Sequence, residues 1–268
     1  MDILSIDTIS GGVYNGHILK GVEMGVLDEI LRTLSGDAPV ADIRVCAFWT
    51  AVVTGNGLRR CGLASTLHPG QHACRPLVAQ SGDLLERSAR QLAELVRSQS
   101  PLEASIGMAA INALIPVDSG SYVEANGADL AMERGRGRRV AVVGHFPFVS
   151  DIRTVAETCW VLEQRPQPGD LPADRAGEIL PQADVVVLTG TSVMNHTFDD
   201  LISLCSPAAF VVALGPSTPL SPVLFDRGVD VIAGTVVEDI DMTLRYISQG
   251  AMFRQVKGVK FVSMLAAR

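Results

Sequence analysis

Motifs that would announce an activity are missing from this chain. It has no G-x-S-x-G elbow, no Walker loop, no C-x-x-C pair and no H-E-x-x-H helix. Nucleophilic triads, P-loop nucleotide hydrolysis and the common zinc arrangements are therefore without a signal. Bases are also short: Lys plus Arg number 22 against 29 for Asp plus Glu, a formal net charge of -7. Neutralising phosphates needs clustered Lys and Arg, so the chain reads as one with no nucleic-acid partner. Its one basic run, "RGRGRR" at 134–139, reads as a solvated, Gly-rich linker. No apolar run reaches membrane-spanning length, and "MDILSIDTIS" carries acids where a signal peptide carries bases. The expectation is a cytoplasmic protein without membrane contact. Five scattered cysteines (46, 61, 74, 159 and 205) are odd in number and read as free, mostly buried thiols. Internal repeats and low-complexity tracts are absent, and aromatics are scarce at 5%.

What remains is a folded α/β composition. In 268 residues, 47% are hydrophobic and 25 are Gly, enough for one large domain or two modest ones. Apolar residues recur at helical spacing over 17–35 and about 82–98, and "PLEASIGMAAINAL" at 101–114 opens on a Pro suited to a first turn. Between them, Ile43 to Val53 and Leu58 to Thr66 read as two strands around "TGNG". Pro, Gly and charge break the pattern over 118–138, where a boundary separates residues 1–120 from 121–268. Beyond it, short strands apolar on both faces alternate with helices, the pattern of a parallel sheet covered on both sides. The expected fold class is α/β: an N-terminal α+β domain followed by a Rossmann-like parallel-sheet domain.

In such a sheet, ligands bind beyond the carboxyl ends of the strands. The loops leaving those ends are "GHFPF" (144–148), "EQRPQPGD" (163–170), "TGTSVMNHT" (189–197), "GPST" (215–218) and "GTVVED" (234–239). Three of them set Gly beside Thr or Ser just ahead of a helix. Hydroxyls and free backbone N–H groups there favour an anionic ligand, although Thr197, Thr218 and Asp239 read equally as plain helix N-caps. Glu163 lies nineteen positions after Gly144, where a dinucleotide fold places its ribose-binding acid. "GHFPFV" nevertheless lacks G-x-G-x-x-G, and Pro147 removes an N–H. His145 and His196 are candidates for acid–base work or metal ligation, weighed against local packing. Cys61, His68, His72 and Cys74 could ligate a soft metal, but their spacing matches no usual zinc pattern.

At "VAVVGHFPFV", "ADVVVLTGTSVMNHTFDDLI", "ALGPSTPLSPVLFDRGVDVIAGTVVED" and "IGMAAINAL" the chain resembles the heavy-metal-chelation family, a former domain of unknown function from bacteria and archaea. The resemblance implies an enolase-N-terminal-like domain ahead of the Rossmann-like one, with a site in the cleft between them. It implies cleft residues Gly144, His145, Phe146 and Pro147; Thr189, Gly190, Thr191, Asn195 and Thr197; Gly215, Pro216, Ser217 and Thr218; and Gly234, Thr235 and Asp239. Asn112 and Thr50 join them from the first domain, with His145 and Asp239 as the catalytic candidates. The implied ligand is a small anionic molecule, a metal complex or metal chelator, with any transition metal held as a chelate. Two alternatives stand beside it: an enzyme using NAD or S-adenosylmethionine at Gly144 and Glu163, and a non-catalytic partner of a metal or siderophore transport system. A homo-oligomer is compatible with each.

Overall fold

The computed structural model describes residues 24–267 apart from positions 56, 58, 69–75, 117 and 119. The start of the expected 17–35 helix, the Asn56 turn residue, His72 and Cys74 lie outside the described residues. Helix α1 (Val26–Thr33) precedes three antiparallel strands, β1 (Val40–Val45), β2 (Trp49–Thr54) and β3 (Cys61–Ser65), paired in the order β1-β2-β3. The single strand expected over Ile43 to Val53 is two strands. The chain reverses at Cys46–Phe48, where the Cys46 N–H donates to the Trp49 carbonyl at 2.9 Å. The helix expected at 82–98 is likewise broken. Ser88 restarts it with a capping box to Gln91, giving α2 (Ala89–Ala93) between two 3₁₀ turns. Helix α3 (Pro101–Leu114) has the expected bounds.

Every residue of β2 is buried, because the small sheet is covered on both faces. Val52 and Ala64 face α2 and α3, while Trp49, Ala51, Val53, Cys61 and Leu63 belong to a second apolar cluster with Leu244, Ile247 and Val256. Period-2 alternation produces this division. At Gly62 a Cβ would lie 2.1 Å from the Ala109 carbonyl oxygen and 2.3 Å from the Ala113 nitrogen. Backbone-to-backbone approach of β3 and α3 therefore requires glycine there.

The segment 118–138 is more than a linker. It contains helix α4 (Gly127–Gly135), capped by Asn126. The large sheet then follows: β4 (Arg139–Val143), α5 (Val149–Val155), β5 (Thr158–Glu163), the short β6 (Leu171–Pro172), α6 (Ala176–Ile179), β7 (Val185–Thr189), α7 (Thr191–Met194), α8 (Phe198–Leu204), β8 (Phe210–Leu214), α9 (Val223–Asp226), β9 (Val231–Val237), α10 (Ile240–Ser248) and β10 (Val259–Leu265). Its spatial order is β10-β9-β8-β7-β4-β5-β6, parallel except for β10, which runs antiparallel to β9. The parallel part has doubly wound order, with its switch between β4 and β7. The antiparallel β10 went unread because "VKFVSML" follows the last expected helix, with no turn-and-helix unit after it. Among the described residues no helix is long and apolar enough to cross a membrane.

Arg139 and Asp184 tie the starts of β4 and β7 together. The Arg139 N–H and guanidinium both donate to the carboxylate, the latter at 2.7 Å. Those bonds hold Asp184 down at about 2. A lowered folded-state value contributes stability above the ordinary carboxylate range near ~4, lost as pH falls through the folded value. Asp184→Asn should lower stability by at most about 1 kcal/mol at neutral pH, since the pair is partly exposed. The gap from the unsubstituted chain should close near pH 2 in urea titrations. Gly62→Ala, by contrast, should cost about 3 kcal/mol or more at any pH, read as a shifted denaturation midpoint.

Candidate functional site

A cleft of about 450 Å³ opens at the carboxyl edge of the large sheet and is bordered by the small one. Strand register brings the two together. Trp49 and Ser65 are paired partners on β2 and β3, and both reach the cleft. The Ser65 N–H donates to Ser217 Oγ at 2.8 Å, and the two hydroxyls lie 3.1 Å apart. Gly144, at φ 103°, turns the chain out of β4 close against Thr189, whose Cβ lies 3.1 Å from where a glycine-replacing Cβ would sit. That turn brings Phe146 and Pro147 into the lining, which Gly144 itself does not join.

In a chain with only eight Phe, two Trp and three Tyr, five of these rings line this one cleft. Phe146 and Phe148 stack with centroids 5.1 Å apart at 17°. Trp49, Phe253 and Phe261 form a second run, each adjacent pair 5.1 Å apart, tilted at 51° and then edge-on at 85°. The Trp49 indole N–H is satisfied by the Ala251 carbonyl at 3.1 Å, so the ring is fixed in place. The floor is polar: Thr189 and Thr191 hydroxyls sit 3.0 Å apart, with Gly190, Gly215, Pro216, Ser217, Gly234 and Thr235 around them. Gly190 is obligatory, since a Cβ there would meet Thr218 Oγ1 at 2.2 Å.

The residues inferred from the resemblance therefore divide. Phe146, Pro147, Thr189, Gly190, Thr191, Gly215, Pro216, Ser217, Gly234 and Thr235 share the cleft. Thr50 and Asn112 lie away from its lining for a reason of parity and packing. Thr50 is on the opposite face of β2 from Trp49, bonded to Thr66 at 2.9 Å. Asn112 on α3 donates to the Leu63 carbonyl at 2.8 Å. Asn195 accepts the Thr197 hydroxyl at 2.7 Å within its own turn. Asp239 caps α10, accepting from the Met242 N–H at 2.9 Å. Thr218 is buried behind Gly190, its hydroxyl without a hydrogen-bond partner among the described residues. His196 joins the units through the Val96 carbonyl at 3.0 Å.

His145, implied as a cleft residue and catalytic candidate, is not among the residues lining the cleft. Its Nδ1 lies 2.9 Å from Asp170 Oδ2, within the 163–170 loop. Asp170 is fully buried at the side chain and also accepts from the Gln167 N–H. Glu163 spends both oxygens on backbone, accepting the His145 N–H at 2.8 Å and the Gln164 N–H at 2.9 Å. It fastens the wall loop through both oxygens.

Sequence reasoning missed Trp49, Ser65, Asn126, Asp129, Asp151, Phe253, Arg254 and Phe261 in the lining. Two signals were present: Asn126 ahead of a nine-residue helical stretch is an N-cap, and "VKFVSML" has strand-forming residues. Gly127 lets α4 approach the sheet, since a Cβ there would lie 2.4 Å from that of Ala233.

A bare heavy metal does not fit these residues. Among the described residues no three His, Cys, Asp or Glu side chains gather to hold an ion, and the cleft lining contains neither His nor Cys. Thiolate is the metal-binding form of cysteine. Burial pushes the Cys61 thiol up to about 12 and Cys205 up to about 11. His68, which shared the Cys61 loop in sequence, contacts the Ala47 carbonyl at 2.8 Å instead.

Family models match both parts of the chain: DUF364 over residues 126–264 and DUF4213 over 27–115, each described as "Putative heavy-metal chelation". The chain belongs to the DUF364 family. An uncharacterized protein of Methanocaldococcus jannaschii is 27% identical over 221 residues, 77% of this chain and 82% of that relative. A solved DUF364 protein of unknown function from Desulfitobacterium hafniense superposes with a TM-score of 0.78 at 26% identity, covering 90% of this chain and 98% of the other. Another from Pyrococcus horikoshii, at 20% identity, shares the fold with a TM-score of 0.75 over 90% of this chain and 98% of its own.

Because His145 hydrogen-bonds a buried carboxylate, His145→Ala should lower stability by roughly 1–3 kcal/mol. Asp170→Asn, which keeps a hydrogen-bonding side chain, should cost less. Thermal melts of the two variants check this ordering.

Proposed function

We propose that the DUF364-family chain binds a metal complex or metal-chelating organic molecule in the cleft between its two sheets. The observation that carries the proposal is the pairing of two aromatic walls with a hydroxyl-and-glycine floor in one cavity. Aromatic faces suit a flat apolar body, and the cavity lies within the size range of small-molecule sites. The family's description supports a chelation role, and the absence of a bare-ion donor set among the described residues favours metal delivered already wrapped in an organic ligand. The nucleotide reading is weaker, because "GHFPFV" lacks G-x-G-x-x-G and both Glu163 oxygens already hold backbone N–H groups of the wall loop.

Trp49 is a built-in reporter, since the other tryptophan, Trp160, sits on β5 away from the lining. Titration with the 1:1 zinc–phenanthroline complex should quench Trp49 fluorescence, and Phe146→Ala should weaken the apparent affinity roughly tenfold, a loss of about 1.4 kcal/mol. In Trp49→Phe the quenching should vanish. NADH and S-adenosylmethionine should give no calorimetric signal. Nucleotide binding that disappears in Glu163→Ala would establish the cofactor reading instead.

A further inference from the structure

The charge of the cleft specifies which form of such a ligand it takes. Resting on the reading above, we infer that the cleft selects the metal-loaded, charge-compensated form of an aromatic chelate and disfavours the free anionic chelator.

Three observations converge on this. Among the described residues the charged members of the lining are Asp129, Asp151 and Arg254, two acids to one base, all exposed. Neither aspartate takes part in an ion pair among the described residues. Second, the starts of α4 and α5, two of the helix ends at this edge, carry their own acids. Asp129 sits in the first turn of α4 and Asp151 in the first turn of α5, where a carboxylate offsets the positive end of the helix dipole. Asn126 further accepts the Ala128 N–H at 3.1 Å. Among the floor hydroxyls, Thr189 pairs with Thr191 and Ser217 with Ser65. Third, five aromatic rings line the cleft, and aromatic rings attract cations through the negative quadrupole of their faces.

A free chelator carries its donor groups as anions or lone pairs, and this lining offers them one guanidinium against two carboxylates. Binding a divalent ion cancels that charge and puts a positive centre where Asp129 and Asp151 serve as counter-charges at a distance, with the metal's inner ligands supplied by the chelator. The same balance explains how a cleft whose described lining holds no His or Cys can serve a family described by chelation.

Calorimetry with three probes of one ring system tests this: zinc–1,10-phenanthroline, free 1,10-phenanthroline, and 1,10-phenanthroline-5-carboxylate, with zinc chloride alone as a fourth titrant. Affinity should fall in that order, with the zinc complex roughly tenfold tighter than the free ring and the step shrinking as salt rises. Zinc chloride alone should leave Trp49 fluorescence unchanged. The double variant Asp129→Asn/Asp151→Asn should erase the ordering, and Arg254→Gln should widen it. Circular dichroism melts of each variant establish that it is folded. Equal affinity for the zinc complex and the carboxylate would overturn the charge inference while leaving the cleft as an aromatic-chelate site, and so would an ordering retained in a folded double variant. Quenching by zinc chloride alone would overturn it in favour of a bare-ion site. If none of the phenanthrolines binds, the proposed function fails and the inference fails with it.

Discussion

Burial of strand β2 on both faces is the constraint from which the site follows. The small sheet has no solvent side. Val52 packs toward α3, and Ala51 and Val53 pack toward α10 of the large-sheet unit. Each fully buried valine contributes about 1.5–3 kcal/mol, and a one-residue slip of register would exchange the two sets between the faces, setting each against the wrong core. Once that register is fixed, Trp49 and Ser65 stand opposite each other at the sheet's end, and the Ser65–Ser217 contact sets them against the loop after β8. Further ties across the units, Arg44 to Ser248 at 2.8 Å and Arg227 to Glu29 at 2.8 Å, hold the same arrangement. The cleft exists because two sheets of different architecture share buried surface.

Glycine provides the other half of the geometry. Gly62, Gly127 and Gly190 stand where any Cβ would collide with backbone, a fixed side chain or a buried hydroxyl. Each draws an element inward: β3 onto α3, α4 onto β9, and the β7 turn onto Thr218. Gly144 works differently, through a positive φ that L-residues adopt at a cost. It throws Phe146 and Phe148 across the cleft mouth, where they stack as a wall.

Much of this was legible in the sequence. Runs such as "ADVVVLTGT" are apolar on both faces, which forces a buried parallel strand, and loops at their carboxyl ends mark the binding edge whatever the ligand. Helix α3 was readable over about 101 to 114 because Pro101 suits a first turn and the apolar run ends at Leu114. The lining from the smaller elements was not legible. Trp49 and Thr50 are neighbours in sequence, and only strand parity decides which one reaches the cleft. Phe253 and Phe261 come from a 3₁₀ turn and an edge strand that carry no ligand motif. His145 looked like a site residue because of its place in a ligand-edge loop. Its partner Asp170 lies twenty-five positions on, and no local pattern reveals a pairing across two loops.

The account holds that metal reaches this protein inside an organic complex and rests between the aromatic walls. Crystals soaked in zinc–phenanthroline and measured at the zinc absorption edge test it directly. The account predicts an anomalous peak within the cleft, flanked by Phe146 and Trp49 and without a protein atom in its inner coordination sphere. A peak ligated instead by His145 and Asp170, or by His68, would contradict it.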